Sequence, residues 1–290
     1  MFYGILYIGK GSGNMKLHFK TNDYLLTWNL LFAPSFSETV HKFKQRLYKM
    51  HKEHYMIIEK DKKEMLEDMK NFIPDDDTVY NYVFETNLFN NLKEDAEKHR
   101  LELLKMWDLN KKEITTNLKD IIKFPILNDY NIVVLHPIMD TVLFHKGYNT
   151  IGWGYRKDLS NPILTLTNIM KYIVLNEVGN FDKKYKDIID VVMELAVEDE
   201  LYTRLSGEST FIKGDISLTY LKRQIYPYFL MYLGSSVEDY TDYMRRDGIT
   251  FDIEKYPIEK ELAKLNLIEF IEYCIKNQYK ILHINQLEIV

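Results

Sequence analysis

The chain has 290 residues and a mass of 34.7 kDa, with 46% hydrophobic and 28% charged residues, values close to globular averages that exclude a disordered or fibrous protein. Its net charge of -5 is spread in short patches, near residue 61 and at 75–77, which excludes the basic stripe of a nucleic-acid binder. One cysteine, Cys274, excludes an internal disulfide and a cysteine-rich metal cluster, and no apolar run reaches the ~18 residues of a membrane span.

The N-terminal MFYGILYIGKGSG lacks a basic region and a small-residue cleavage site, so a cytoplasmic protein without a membrane partner is expected. FYGILYIG followed by KGSGN predicts a strand and a turn. From 37 to 72 apolar residues recur at the helical period, with Ser37 as N-cap. His41, His51 and His54 lie on that helix, with nothing nearby to arrange them for a metal. Residues 77–89 read as a strand leading into a helix at 90–107, followed by another at 111–122.

Near residue 130 the pattern changes. NIVVLHPI at 131–138 predicts a buried strand, and MDTVLFHKGYN a loop flanked by His136 and His145. TIGWGY at 150–155 predicts a second strand with Trp153 and Tyr155 on one face. Asn161 caps a helix that has Pro162 at its first position and ends at Gly179 and Asn180. A helix at 182–205 follows, then SLTYLKRQIYPYFLMYLG, which Pro227 should kink or break. A short helix at 236–246, a strand-like GITFD and a long helix at 257–277, carrying Cys274 as a buried thiol, complete the chain. The fold class is α+β, mainly helical with a small sheet. A mainly helical region covers 1–125 and a second region 126–290, a formal boundary if both share one core.

Helix 162–179 carries NEVGN at 176–180. In the HExxH motif two histidines four apart share a helix face and bind one zinc, while the glutamate between them acts on the metal-bound water. With Asn176 and Asn180 in the histidine positions, NEVGN resembles a degenerate HExxH of the gluzincin-type, zincin-like metallopeptidases. The resemblance covers about 130–205, where two strands, the NEVGN helix and an acidic second helix follow in the family's order. ELYTRLSG at 200–207 is similar to segments of zincin-like proteins.

The resemblance implies a small sheet against an active-site helix pair, a strand lining a substrate cleft, and a third ligand on the following helix. Glu200, twenty residues after Asn180, continues the apolar stripe of Ile189, Met193 and Ala196. Asp190, Glu194 and Glu198 form a mainly acidic stripe expected to face solvent. A carboxylate in a packed interface needs a partner, either a metal or an arginine such as Arg204.

Asn176, Asn180 and Glu200 are thus the ancestral metal positions, Glu177 a vestigial general base, and Trp153 and Tyr155 the cleft residues. Tyr226, Tyr228, Arg223 and His283 are candidates for vestiges of the transition-state-stabilising residues that zincins carry downstream; core packing is the favoured reading for tyrosines in a chain holding 22 of them. Amide oxygens suit hard cations and replace imidazole poorly at zinc. No cofactor is therefore expected, and the function implied is a non-catalytic, metallopeptidase-like protein keeping a cleft for a peptide or protein segment. One alternative is an active metal-dependent hydrolase, a peptidase with an atypical Asn/Asn/Glu site holding zinc or another divalent cation. The other is an unrelated helical interaction protein in which NEVGN simply ends a helix.

Overall fold

A short mixed sheet gives an otherwise helical chain two faces to pack against. The computed structural model describes residues 15–34, 37–136, 141–154, 161–208, 216–235 and 259–282. The expected N-terminal strand and turn, the helix at 236–246, GITFD, Tyr155 and His283 lie outside the described residues.

Strand β1 (Leu17–Lys20) alternates buried Leu17 and Phe19 with exposed His18 and Lys20, as an edge strand with one packed face should. Strands β2 (Tyr130–Val134), β3 (Thr141–Phe144) and β4 (Thr150–Gly154) complete the order β1-β2-β4-β3. β1, β2 and β4 run parallel, and β3 runs antiparallel to β4. β2 is central and buried on both faces, which explains its nearly unbroken apolar run. The stretch expected to be a loop therefore contains a strand, β3. It is the edge, and β4 with Trp153 lies inside the sheet.

Helices α1 (Asp23–Phe32), α2 (Glu38–Met50), α3 (Lys52–Lys60), α4 (Lys62–Glu67) and α5 (Thr78–Phe84) precede the 36-residue α6 (Asn87–Ile122). The single helix expected over 37–72 is broken by His51 and Asp61. The strand expected at 77–89 is helix α5, whose buried Val79, Tyr80 and Val83 have helical spacing, followed by Thr86, whose hydroxyl caps α6. The two helices expected between 90 and 122 are one.

α7 (Pro162–Glu177) is followed by α8 (Lys186–Met193), a π-helical stretch at Glu194–Leu201 and α9 (Tyr202–Ser206), which continue one another. α10 (Thr219–Leu233) and α11 (Leu267–Lys276) close the fold. α10 runs through Pro227 unbroken, because nearly every side chain from Ile225 to Tyr232 is packed in the core and tertiary burial outweighs the missing N–H.

Two cores lie on opposite faces of the sheet. Tyr130, Ile132, Val134 and Trp153 point toward α7, α8 and α10, whereas Val133, Leu135 and Leu143 point toward α1 to α5. α6 serves both, giving Phe89 and Leu92 to one and Trp107, Ile114 and Leu118 to the other. Across the formal boundary at 125, β1 pairs with β2. Lys123, left-handed at φ 58, ends α6 and sends its ammonium to the carbonyls of Tyr232 (2.6 Å) and Ala263 (2.9 Å). This ties the last turns of α6 and α10 to the C-terminal elements.

Glu194, expected to face solvent, is only 5% exposed, and its carboxylate lies 2.7 Å from the ammonium of Lys222 on α10, itself 3% exposed. Periodicity alone misplaced it, since a helix packed on several sides can bury an acid wherever a cation meets it. Removing one partner of such a pair leaves a buried charge uncompensated. Lys222→Met should therefore lower stability in urea unfolding by about 3–5 kcal/mol, and adding Glu194→Leu should recover most of the loss.

Candidate functional site

NEVGN lies where the helix stops. α7 starts at Asn161, whose side chain accepts from Leu164 N, and its last helical residue is Glu177. Val178 closes the final turn, and Gly179 takes φ +76, a left-handed conformation that a residue with a Cβ adopts at a cost. Asn180 follows outside the helix and is exposed. Asn176 and Asn180 are four residues apart in sequence, yet only Asn176 is helical, so the pair lacks the shared face that a two-ligand motif requires.

The Asn176 side chain is held on both ends. Its carbonyl oxygen accepts from Gly147 N (2.7 Å), and its amide nitrogen donates to Tyr130 Oη (3.0 Å) and Asn149 Oδ1 (3.2 Å). Gly147, at φ +95 in the turn between β3 and β4, turns its N–H toward the helix end. Glu177 Oε1 accepts from Tyr130 Oη (2.6 Å) and Asn128 Nδ2 (2.8 Å). The Lys146 ammonium bonds the Gly179 carbonyl. Burial first, and then the bond to Glu177, hold the Tyr130 phenol well above its ordinary pKa, while Asn176 acts in the opposite direction. The cluster fastens the last turn of α7 to the amino-terminal ends of β2 and β4.

Glu200 stands apart. Its Oε1 accepts from Arg204 Nε (2.7 Å), and Arg204 also reaches Asp120 Oδ2 of α6 (2.5 Å). The arginine foreseen as a partner is the partner. Tyr202, two residues on, accepts from the Asn161 side chain at the start of α7 (2.7 Å). Glu200 is held by Arg204, which also reaches α6, and Asn176 by the sheet end; among the described residues the two share no hydrogen-bond or ion-pair partner.

Trp153 is 1% exposed, and its ring meets that of Tyr172 on α7 (6.2 Å between centroids). Phe144 of the edge strand packs on the same tyrosine (5.4 Å), whose phenol burial pushes up to about 12, with Glu198 and Asp190 adding to the rise. Trp153 is accordingly core between sheet and helix. Tyr226 and Tyr228 are buried in the same core, and Arg223 is exposed. Cys274 is buried, and its thiol is raised by that burial.

Zinc does not fit the residues present at NEVGN: the Asn176 oxygen is engaged by Gly147, and Asn180 lies past the helix end. Among the described residues no group of three or more His, Cys, Asp or Glu side chains is arranged to hold a metal ion. A groove of about 490 Å³, which sequence reasoning missed, lies between β1 and α6, with Lys16, His18, Trp107 and Lys112 among its walls. None of the expected site residues lines it, and its cue, a tryptophan on a long helix beside an edge strand, is visible only once β1 is placed.

Compared with family models, with curated proteins and with solved structures, the chain matches none. No helix among the described residues is long and apolar enough to cross a membrane.

Tyr130→Phe removes the hydroxyl that donates to Glu177 and accepts from Asn176, and should cost about 1–3 kcal/mol in urea unfolding. Gly179→Ala, strained by its positive φ, should cost about 1–2 kcal/mol in the same measurement.

Proposed function

We propose that the chain is a non-catalytic, zincin-like protein that binds a peptide or protein segment in the cytoplasm, with no role for nucleic acid or membrane. The observation that carries this reading is the engagement of Asn176 and Glu177 by Tyr130, Asn128, Asn149 and Gly147, which commits the motif's first ligand position and its general-base position to structure. The zincin-like part of the reading is supported by chain order: an antiparallel edge strand, the NEVGN helix, and a second helix carrying Glu200 packed against it. β3 supplies the binding element. Among the described residues it has a strand neighbour on one side only, so an extended segment can add to its outer edge through main-chain hydrogen bonds.

A second reading, an unrelated helical interaction protein, is favoured by the separate partners of Asn176, held by Tyr130, Asn149 and Gly147, and of Glu200, held by Arg204. The third, an active hydrolase using Asn176, Asn180 and Glu200, requires those three to converge; the bonds of Asn176 to the sheet end and of Glu200 to Arg204 weigh against it.

Protein purified without affinity-column metal should carry no stoichiometric metal and leave generic peptides uncut. Extended peptides selected from a display library should bind with a measurable Kd that Val142→Pro weakens at least tenfold, in a variant whose circular dichroism matches that of the wild type. A stoichiometric metal that is lost on Glu200→Ala would overturn the proposal in favour of the active hydrolase. Selected peptides insensitive to Val142→Pro would remove β3 as the binding element.

A further inference from the structure

The edge of the sheet opposite β3 is β1, and the groove of about 490 Å³ between it and α6 belongs to that edge. Met15, Lys16, Leu17 and His18 all line it. Successive residues of a strand point to opposite faces, so a groove that touches four in a row runs along the strand's open side. Lys16 turns its carbonyl to Tyr130 N (2.9 Å) and its N–H to Asp129 Oδ1 (3.3 Å), both on the side of β2. Main-chain groups of alternate residues face opposite edges. The N–H and C=O of Leu17 and Phe19 therefore point away from β2, where no strand meets them among the described residues.

The walls set the chemistry of what can lie there. On α6, half-buried Leu104 and buried Trp107 supply the apolar part, and Lys111 and Lys112 the exposed part. The lining holds three lysines and His18 against one carboxylate, Asp108, and Lys111 already pairs with that one (3.0 Å). Asp129, set outside the lining, lies 3.7 Å from His18. Among the described residues Lys16 and Lys112 have no ion-pair partner.

We propose that this groove takes an extended acidic segment of another protein, added to β1 as a further strand. Alternating N–H and C=O groups are answered by another extended main chain, and pockets for alternate side chains give the selectivity. Side chains of the added strand on the face of Leu17 and Phe19 meet the core side of the groove, where Leu104 and Trp107 suit aliphatic residues. Those on the face of Lys16 and His18 meet cations, and opposite charges on neighbouring strands attract. The recognised pattern is acidic residues alternating with aliphatic ones. The site is independent of β3, which lies at the other edge of the sheet.

The test uses the full chain and a short blocked peptide alternating glutamate with valine, measured by fluorescence polarisation beside its counterpart of lysine and valine. The glutamate peptide should bind, weaken as salt rises and move the amide NMR signals of Leu17 and Phe19; the lysine peptide should not bind. Lys16→Glu/Lys112→Glu, at two exposed positions, should weaken the glutamate peptide about tenfold or more, since each reversal turns an exposed attraction into a repulsion. Two further peptides, N-methylated at the glutamates or at the valines, separate strand addition from charge alone. One edge of the peptide meets β1, so one set of methyl groups should abolish binding and the other leave it. These peptides leave the protein unaltered and decide by themselves if the double variant does not fold. No binding of the glutamate peptide, equal binding of the lysine peptide, indifference to Lys16→Glu/Lys112→Glu, or equal effects of the two methylations would overturn the proposal. So would self-association in sedimentation that the same reversal disperses, because the groove would then hold a second copy of the chain.

Discussion

The hydroxyl of Tyr130 is the point at which sheet and helix are joined. It sits at the first residue of the central strand, donates to Glu177 and accepts from Asn176, and its ring is buried in the larger core. Around it, Asn128, Gly147 and Asn149 bring the start of β2 and the turn before β4 to the last turn of α7. With that end fixed, Tyr172 of α7 lies against Trp153 and Phe144 of the sheet, α8, α9 and the π-helical stretch between them pack against α7, and α10 packs on α8. A motif that looks like chemistry in the sequence is thus the fastening of a helix terminus.

What the sequence disclosed and what it hid divide along a physical line. Local signals were readable. Asn161 and Pro162 marked the start of α7, Gly179 its end, and the apolar run at 131 the central strand. A carboxylate on an apolar stripe calls for a cation, a metal or an arginine such as Arg204, and the arginine one turn on supplies it. The mainly helical α+β class followed from such signals as well. Non-local facts were unreadable. β3 is four residues with all side chains half-buried, too short and too weakly patterned to stand out from a loop. α5 is rich in Val, Tyr and Phe, which favour strands, and becomes helical because its buried face fits α1 and α6. Glu194 was assigned to solvent because Lys222, its partner, is on another helix.

The candidate site shows the same limit more sharply. Spacing along a chain equals spacing on a helix only while the helix lasts, and Gly179, which served as the helix terminator, also removes Asn180 from the face that Asn176 occupies. In the structure the helix ends at Glu177, and the left-handed Gly179 stands between it and Asn180. The two ends of β2 then carry different duties. Tyr130 anchors α7 through neutral amides and one carboxylate, and His136 meets Asp95 of α6.

The central claim is that NEVGN ends a helix and holds it to the sheet, without the geometry of a two-ligand metal motif. The most direct measurement is zinc titration by isothermal calorimetry of an Asn176→His/Asn180→His variant shown by circular dichroism to be folded. With position 180 beyond the helix and past a left-handed glycine, the account predicts no stoichiometric zinc binding at micromolar metal. One zinc per chain bound at submicromolar Kd, and lost again on Glu200→Ala, would contradict it, because the three positions would then converge on one ion.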